Sequence, residues 1–175
     1  MKPCGAVIMA AGRSRRMRSE KLALGFDEKS SFLLQILSRY HAFGCDPLIV
    51  VVNPLGEALM PRLLEGFSHQ VMVAVNRAPE KGRFLSLQQG LKSLPSLQPT
   101  FIHNVDNPFV NDQLLAQMLS QAPDEGFVSP VFENQGGHPL LLMPDVIQAI
   151  VAHRHEDSRL DHFLKAFPNR RVQTE

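Results

Sequence analysis

Residues 6–21 of this 175-residue chain read AVIMAAGRSRRMRSEK, and this stretch decides the expected fold. It begins with five apolar residues, Ala6–Ala10, a run that is typical of a strand buried on both faces. Small residues then continue to Gly12, so the backbone can pass close to a ligand. A turn of exposed N–H groups directly after a strand suits the binding of an anion. The stretch therefore predicts a strand that ends at an anion-binding turn.

Cations are concentrated just beyond this turn, although the net charge of the whole chain is only +1. The cluster consists of Arg13, Arg15, Arg16, Arg18 and Lys21. It matches neither the P-loop pattern nor the glycine fingerprint of dinucleotide-binding proteins. From the residues alone, a phosphate site and a solvated basic loop are equally supported.

The composition is that of a globular protein, with 44% hydrophobic and 20% charged residues. The near-neutral charge gives no general attraction to nucleic acid or to an anionic membrane. No apolar run approaches the roughly 20 residues that cross a bilayer, and the N-terminal segment is too short for a secretory leader. Cys4 and Cys45 fit buried, reduced thiols, and a disulfide between them has no sequence support. We therefore expect a cytoplasmic protein without nucleic-acid or membrane partners.

Short apolar runs alternate with helical patterns along the first two-thirds of the chain. Strands are predicted at 6–10, 47–52, 71–75, 100–105, 127–132 and 139–143, and helices at 31–43, 57–66, 84–94, 111–121, 144–153 and 158–167. The tail from 169 to 175 is either a short strand or disordered. Alternating strands and helices indicate a parallel sheet covered by helices on both faces, in which ligands bind at the carboxyl ends of the strands.

Three further segments follow predicted strands and carry residues suited to chemistry. Asp106 comes just after the fourth strand, where a carboxylate suits Mg²⁺ bound to substrate phosphates, but taken alone the Asp-x-Pro pattern favours an Asx-type turn before Pro108. Gly82 precedes a helix whose first turn either faces a nucleotide or is a plain loop-to-helix transition. Gly137 and His138 lie between the last two predicted strands, where a hairpin turn is the simplest interpretation.

Together these segments resemble the nucleotidyltransferases with a GT-A-like fold. The signature Leu-Ala-Ala-Gly-x-Ser-x-Arg-Met-Gly-x-x-Lys is matched at Ala10, Ala11, Gly12, Ser14, Arg16, Met17 and Lys21. The molybdenum-cofactor branch of that family is resembled at Gly82, Ser86, Leu87, Gly90, Leu91, Asp106, Pro108, Gly137, His138 and Pro139. The resemblance implies a three-layer α/β fold, Rossmann-like, with a mostly parallel central sheet. It also implies a single transferase domain over residues 1–175.

The resemblance implies transfer of a nucleoside monophosphate from an NTP to a phosphorylated acceptor, with release of pyrophosphate. Arg16, Lys21 and Asp106 are then the catalytic residues, and Asp106 is the ligand of Mg²⁺. The implied nucleotide-binding residues are Ala10, Ala11, Gly12, Ser14, Arg16, Lys21, Asn76 and Ser86. Gly137 and His138 are placed on the acceptor side. These roles agree with the needs of phosphoryl transfer, which are in-line positioning and charge neutralisation.

The Ala10-Ala11 doublet and the Gly-Gly-His-Pro segment are similar to those of the molybdopterin cytidylyltransferases. The resemblance therefore favours CTP over GTP and molybdopterin as the acceptor. A sugar phosphate or another small phosphate is an alternative acceptor. Arg18 stands where the family has glycine, and the chain ends at Glu175, before the Asp-x-Asp-Thr-Pro or Asn-Thr-Pro segment of relatives. The second departure favours a domain that is short at its C-terminus. Both departures motivate a second alternative, a non-catalytic protein that binds a nucleotide or a partner.

Overall fold

The computed structural model describes residues 2–12, 31–133, 135–154 and 158–174. Strands and helices alternate over the first two-thirds of the chain, as the sequence predicts. The strands are β1 Gly5–Met9, β2 Leu48–Val52, β3 Val71–Val75, β4 Thr100–Asn104, β5 Phe127–Phe132, β6 Gln135–Gly136, β7 Leu140–Leu142 and β8 Asn169–Gln173. The helices are α1 Phe32–Phe43, α2 Pro54–Leu63, α3 Arg83–Lys92, α4 Asp112–Ser120, α5 Pro144–Ala152 and α6 Leu160–Phe163.

The strands of the described residues form one eight-stranded sheet in the order β3-β2-β1-β4-β7-β5-β6, with β8 paired to β5. Strands β3, β2, β1 and β4 run parallel to one another. Strand β7 is antiparallel to both β4 and β5, whereas β8 runs parallel to β5. The predicted three-layer α/β fold with a mostly parallel central sheet is therefore confirmed.

Residue alternation along the strands divides the core between the two faces of the sheet. Ala6 and Ile8 of β1 pack with helices α1, α2 and α4, for example against Leu33. Val7 points to the other face and packs with α3 and α5, for example against Leu87. The apolar run at the start of the chain is continuous because both faces are covered.

Helix α1 begins and ends where the sequence predicts. The Ser31 side chain accepts a hydrogen bond from the backbone N–H of Leu34 at 3.2 Å, which caps the N-terminus. Gly44 adopts a left-handed conformation with φ 91°, and its N–H bonds the last carbonyls of the helix. Helix α2 starts at Pro54, three residues earlier than predicted, because the side chain of Asn53 accepts from the N–H of Gly56 at 2.8 Å.

The C-terminal part of the chain departs most from the prediction. The expected last helix divides into α6 and a 3₁₀ turn at Leu164–Ala166. The two-residue strand β6 was not expected, since it is too short to leave a pattern. The tail forms β8, so a strand replaces the alternative of disorder.

Close packing of α3 on the sheet explains why residue 90 is a glycine. A Cβ atom there would lie 2.6 Å from a methyl group of Val51 and 2.7 Å from one of Val7. The helix thus packs directly on β1 and β2, and this close packing fixes the position of its N-terminal residues. The thiols of Cys4 and Cys45 are free and buried, as predicted, with their Sγ atoms 3.3 Å apart. No helix among the described residues is long and apolar enough to cross a membrane.

Candidate functional site

Two adjoining cavities open at the carboxyl ends of β1 and β4. The smaller has a volume of about 270 Å³ and the larger about 760 Å³. Met9, Gly82, Arg83 and Asn104 line both of them, so the cavities meet at these residues. Open parallel sheets bind their ligands at this edge, and both volumes together suit two small-molecule substrates.

The smaller cavity contains the turn that follows β1. Ala10, Ala11 and Gly12 line it, as does Asp106 from the turn that follows β4. The N–H of Ala10 donates to the carbonyl of Val51 at 2.8 Å, and this bond holds the turn against the sheet. Among the described residues, no atom lies within 4 Å of the position that a Cβ of Gly12 would take. Ser14, Arg16 and Lys21, the remaining predicted residues of this segment, lie outside the described residues.

The turn that carries Asp106 is braced from the core by two buried side chains. His103 is fully buried in β4, and its Nδ1 accepts a hydrogen bond from the hydroxyl of Tyr40 at 3.0 Å. Its Nε2–H donates to the backbone carbonyl of Asn107 at 2.6 Å. The N–H of Val105 donates to the carbonyl of Met9 at 3.1 Å. These bonds fix the turn beside the end of β1, while Asp106 itself is exposed to the cavity.

Asn76 and Ser86 form a hydrogen-bonded pair between the end of β3 and helix α3. The side-chain N–H of Asn76 donates to the Ser86 hydroxyl at 2.8 Å, and its carbonyl oxygen accepts from the N–H of Ala78 at 2.9 Å. Ser86 lines the smaller cavity and Asn76 lies behind it. This placement is compatible with the predicted contact of Ser86 with a nucleotide, and Asn76 holds the Ser86 side chain by a hydrogen bond.

The larger cavity combines an apolar floor with a polar rim. Its apolar lining includes Phe84, Leu87, Ile102, Phe127, Leu140, Leu160 and Leu164. Ser129 of β5 and Asn169 of β8 supply neutral polar groups, and the Ser129 hydroxyl donates to Asn169 at 3.0 Å. Such a lining suits a ligand that has an apolar or planar body as well as charged groups.

Gly137 and His138 lie at the rim of the larger cavity, on the side where the sequence places the acceptor. The N–H of Gly137 donates to the carbonyl of Pro130 at 2.9 Å, which anchors the loop to β5. Neighbouring protein atoms partly desolvate the imidazole and, together with the charge of Arg83, lower the pKa of His138. His138 is therefore neutral at physiological pH, and its ring can both donate and accept a hydrogen bond.

The sequence-based prediction of the site did not include several polar residues that line the cavities, among them Arg83, Asn104, Ser129 and Asn169. The sequence gives a signal for Arg83 and Asn104, because Arg83 follows Gly82 at the start of a helix and Asn104 precedes Asp106 at the end of a strand. Ser129 and Asn169 bear none, because they meet only through the pairing of β5 with β8, 40 residues apart.

Asp106 and its surroundings fit a magnesium ion bound together with a nucleotide. No group of three or more potential metal-binding side chains occurs in the described ranges. Mg²⁺ in phosphoryl-transfer sites is held by one or two carboxylates, substrate phosphates and water, so one exposed carboxylate lining a cavity of about 270 Å³ is compatible with such an ion. The sequence prediction of Asp106 as the protein's ligand is compatible with this geometry.

The burial of His103 predicts a pH-dependent stability. Burial lowers the pKa of His103, so the neutral ring contributes stability above about pH 6.5. That stability is lost as the pH falls through the lowered pKa of the folded state, because the unfolded chain binds the proton more readily. His138 acts in the same direction. His103→Gln keeps an N–H donor for Asn107 but cannot take up the proton. Between pH 7.5 and 5.5, we expect its free energy of unfolding to fall by about 1 kcal/mol less than that of the wild type.

Urea unfolding of both proteins at the two pH values measures this difference. His162→Gln is the matched control, since the side chain of His162 is 64% exposed. Equal pH dependence in the wild type and His103→Gln would contradict the prediction.

The fold and the cavities define a class of protein: a three-layer α/β domain with two adjoining cavities at the carboxyl edge of its sheet. Residues 6–172 match the MobA-like NTP transferase domain, and the chain belongs to this family. The predicted family resemblance is thereby confirmed.

Proteins similar in sequence to this chain include a cytidylyltransferase. The chain is 29% identical over 129 residues to the 2-C-methyl-D-erythritol 4-phosphate cytidylyltransferase of Geobacillus kaustophilus, a match that covers 71% of this chain and 55% of that protein. It is 32% identical over 94 residues to the bifunctional enzyme IspD/IspF of Caulobacter vibrioides, covering 51% of this chain and 23% of that protein. The chain thus spans about half, or less, of the length of these relatives.

Solved structures share the fold at lower sequence identity. Rv0371c of Mycobacterium tuberculosis superposes with a TM-score of 0.81 at 20% identity, covering 99% of this chain and 88% of that one. The same Mycobacterium protein has also been solved in a complex with manganese, with a TM-score of 0.74 and 18% identity over 99% of this chain and 88% of that one. A nucleotidyl transferase from Methanothermobacter has a TM-score of 0.78 at 19% identity, covering 98% and 87% of the two chains.

Proposed function

We propose that this protein transfers a cytidylyl group from CTP to a phosphorylated acceptor and releases pyrophosphate. The observation that carries the proposal is the pair of adjoining cavities, one lined by the β1 turn and Asp106 and the other lined by an apolar floor. A two-substrate transfer requires two binding sites that meet at one point. Membership of the MobA-like NTP transferase family supports the same reaction class.

In this proposal the smaller cavity binds the nucleotide. The backbone of Ala10, Ala11 and Gly12 contacts the phosphates, and Ser86 contacts the nucleoside. Ser14 is a further nucleotide-binding residue of the proposal, and Arg16 and Lys21 neutralise the triphosphate. An oxygen of the acceptor phosphate attacks the α-phosphorus, and the bond from that phosphorus to the oxygen bridging to the β-phosphate breaks. Pyrophosphate leaves with the electron pair. The protein contributes alignment and charge neutralisation, which account for most of the catalysis in reactions of this kind.

Asp106 would hold Mg²⁺ in this reaction. When bound, the ion neutralises charge on the phosphates during transfer. The role of the chain is to keep the carboxylate in place. His103, itself bonded to Tyr40, holds the turn, and a backbone bond to Met9 fixes it to β1.

CTP is the favoured nucleotide and molybdopterin the favoured acceptor. The Ala10-Ala11 doublet supports CTP, as does the name of the Geobacillus relative. A ring-bearing acceptor suits the 760 Å³ cavity with its phenylalanine and leucine floor. The Geobacillus relative also supports a second candidate acceptor, 2-C-methyl-D-erythritol 4-phosphate, and sugar phosphates belong to the same test.

The first experiment measures the melting temperature with each NTP, with and without Mg²⁺. A ligand present at about 100 times its Kd stabilises a protein by roughly 2.7 kcal/mol. For a chain of this size we expect CTP with Mg²⁺ to raise the melting temperature by roughly 5–10 °C, and GTP to raise it less. Equal shifts for all four NTPs would overturn the preference for CTP.

The second experiment measures pyrophosphate release from CTP with molybdopterin, 2-C-methyl-D-erythritol 4-phosphate or sugar 1-phosphates as acceptors. Release that requires both Mg²⁺ and one acceptor supports the transferase and identifies the acceptor. Binding of CTP without turnover for any acceptor would overturn it and favour a non-catalytic nucleotide-binding protein.

A further inference from the structure

Arg83 stands at the point where the two cavities meet. It is the first residue of α3, and it lines both the smaller and the larger cavity. Within the described ranges it is the one cationic side chain shared by both. The other residues common to the two cavities are neutral: Met9, Gly82 and Asn104. A group bound beside Arg83 is therefore in contact with the contents of both cavities.

The guanidinium group of Arg83 has most of its donors available. Its Nη2 donates to the side-chain oxygen of Asn104 at 2.6 Å, and Asn104 is neutral. This bond directs the side chain across the end of β4. Arginine has five N–H donors in a planar fork, so the remaining ones can bind an oxyanion in a bidentate manner. Arg83 is exposed, and its charge is not consumed by a buried ion pair.

Charged side chains of both signs line the larger cavity beside Arg83, among them the carboxylate of Glu80. Lys81 lies on the rim of the larger cavity, and His138 faces Arg83 closely enough for the guanidinium charge to act on its ring. Asp106 acts on the same ring, so the metal-binding carboxylate and Arg83 flank the junction. A dianion placed between them would be bound by Arg83 on one side and reached by the nucleotide on the other.

We propose that Arg83 binds the phosphate of the acceptor and presents one of its oxygens to the α-phosphorus of the nucleotide. This inference rests on the proposed transferase function. The oxygen forms the new bond to phosphorus, the bond between the α-phosphorus and its leaving oxygen breaks, and pyrophosphate takes the electron pair. Arg83 neutralises the incoming phosphate, which would otherwise be repelled by the triphosphate. It is a catalytic residue in the sense that it touches the substrate at the reacting group.

The position of Arg83 favours the acceptor phosphate over the triphosphate. The predicted cations for the triphosphate lie at 13–21, directly after the β1 turn. Arg83 comes from a different element and reaches into the larger cavity, where the acceptor body lies in the proposed function. An acceptor phosphate must occupy the junction, because its oxygen has to approach the nucleotide from the opposite cavity.

Binding of inorganic phosphate tests this role without knowledge of the acceptor. The protein is first saturated with α,β-methylene CTP and Mg²⁺, and inorganic phosphate is then titrated by calorimetry. Arg83→Gln should weaken phosphate binding about tenfold or more, and Arg83→Lys should have an intermediate effect because lysine lacks the bidentate fork. The Kd of the CTP analogue should change less than about twofold. Arg62→Gln is the control, since Arg62 is exposed on α2 and lines neither cavity.

Equal phosphate affinity in the wild type and Arg83→Gln would overturn the inference, as would the absence of phosphate binding by the wild type. Weaker binding of the CTP analogue in Arg83→Gln would also overturn it, since Arg83 would then serve the nucleotide. Failure of the proposed function is distinguishable, because it appears as a wild type that releases no pyrophosphate with any acceptor. With an active acceptor, Arg83→Gln should raise the KM for that acceptor about tenfold and leave the KM for CTP unchanged.

Discussion

Asp106→Ala should reduce pyrophosphate release from CTP about a thousandfold while leaving the fold intact. Asp106 is exposed in the smaller cavity, and the residues that bear its turn are held by bonds to Tyr40, Met9 and Asn107 that do not involve its carboxylate. Loss of the metal-binding carboxylate removes several kcal/mol of transition-state stabilisation, and roughly 4 kcal/mol corresponds to that factor in rate. Stability should change by no more than about 0.5 kcal/mol, as for other surface substitutions. Steady-state kinetics and urea unfolding measure the two effects.

A binding measurement separates metal loss from other causes of inactivity. The affinity for Mn²⁺ in the presence of CTP should fall in Asp106→Ala, and Asp106→Asn should lie between it and the wild type. Asp124→Ala is the matched control, because Asp124 is an exposed carboxylate that lines neither cavity. Undiminished turnover in Asp106→Ala would refute the assignment of Asp106 as the metal ligand.

Most of the sheet could be predicted from the sequence because its central strands are buried on both faces. The runs that form β1 and β2 are continuously apolar, and a helix with a clear 3.6-residue period follows each of them. The ends of α1 were predictable as well, since Ser31 and Gly44 are standard capping residues. The C-terminal part was harder to predict, because β8 is exposed along most of its length and acquires its strand form only by pairing with β5.

The candidate site could be predicted only where its residues follow a strand directly in sequence. Ala10–Gly12 and Asp106 end two adjacent parallel strands, so their meeting in one cavity follows from topology. The support beneath Asp106 could not be predicted, because the bond between Tyr40 and His103 joins residues 63 positions apart. The wall formed by Ser129 and Asn169 depends on the same kind of long-range pairing.

Gly126→Ala is expected to cause the largest loss of stability of any single substitution considered. Gly126 precedes β5 and has φ +93°, a conformation that costs an L-residue about 1–2 kcal/mol. A Cβ atom there would also lie 2.2 Å from the backbone oxygen of Pro168, and backbone cannot move aside as a flexible side chain can. Two hydrogen-bonded partners also hold this residue: its N–H donates to the Asp145 carboxylate at 3.0 Å, and its carbonyl accepts from the N–H of Met143 at 3.0 Å. We expect a cost of about 3–5 kcal/mol in urea unfolding.

Gly66→Ala isolates the part of this cost that comes from the backbone conformation. Gly66 has φ +78°, but within the described part of the chain no atom lies within 4 Å of its Cβ position, so the variant should lose only about 1–2 kcal/mol of stability. The difference between the two variants measures the collision with Pro168. That collision has a functional consequence, because it separates β5 from β8, and these strands carry Phe127, Ser129 and Asn169 of the larger cavity. In Gly126→Ala, acceptor turnover should therefore fall more than the affinity for CTP does. Equal stability of the two alanine variants would contradict this account.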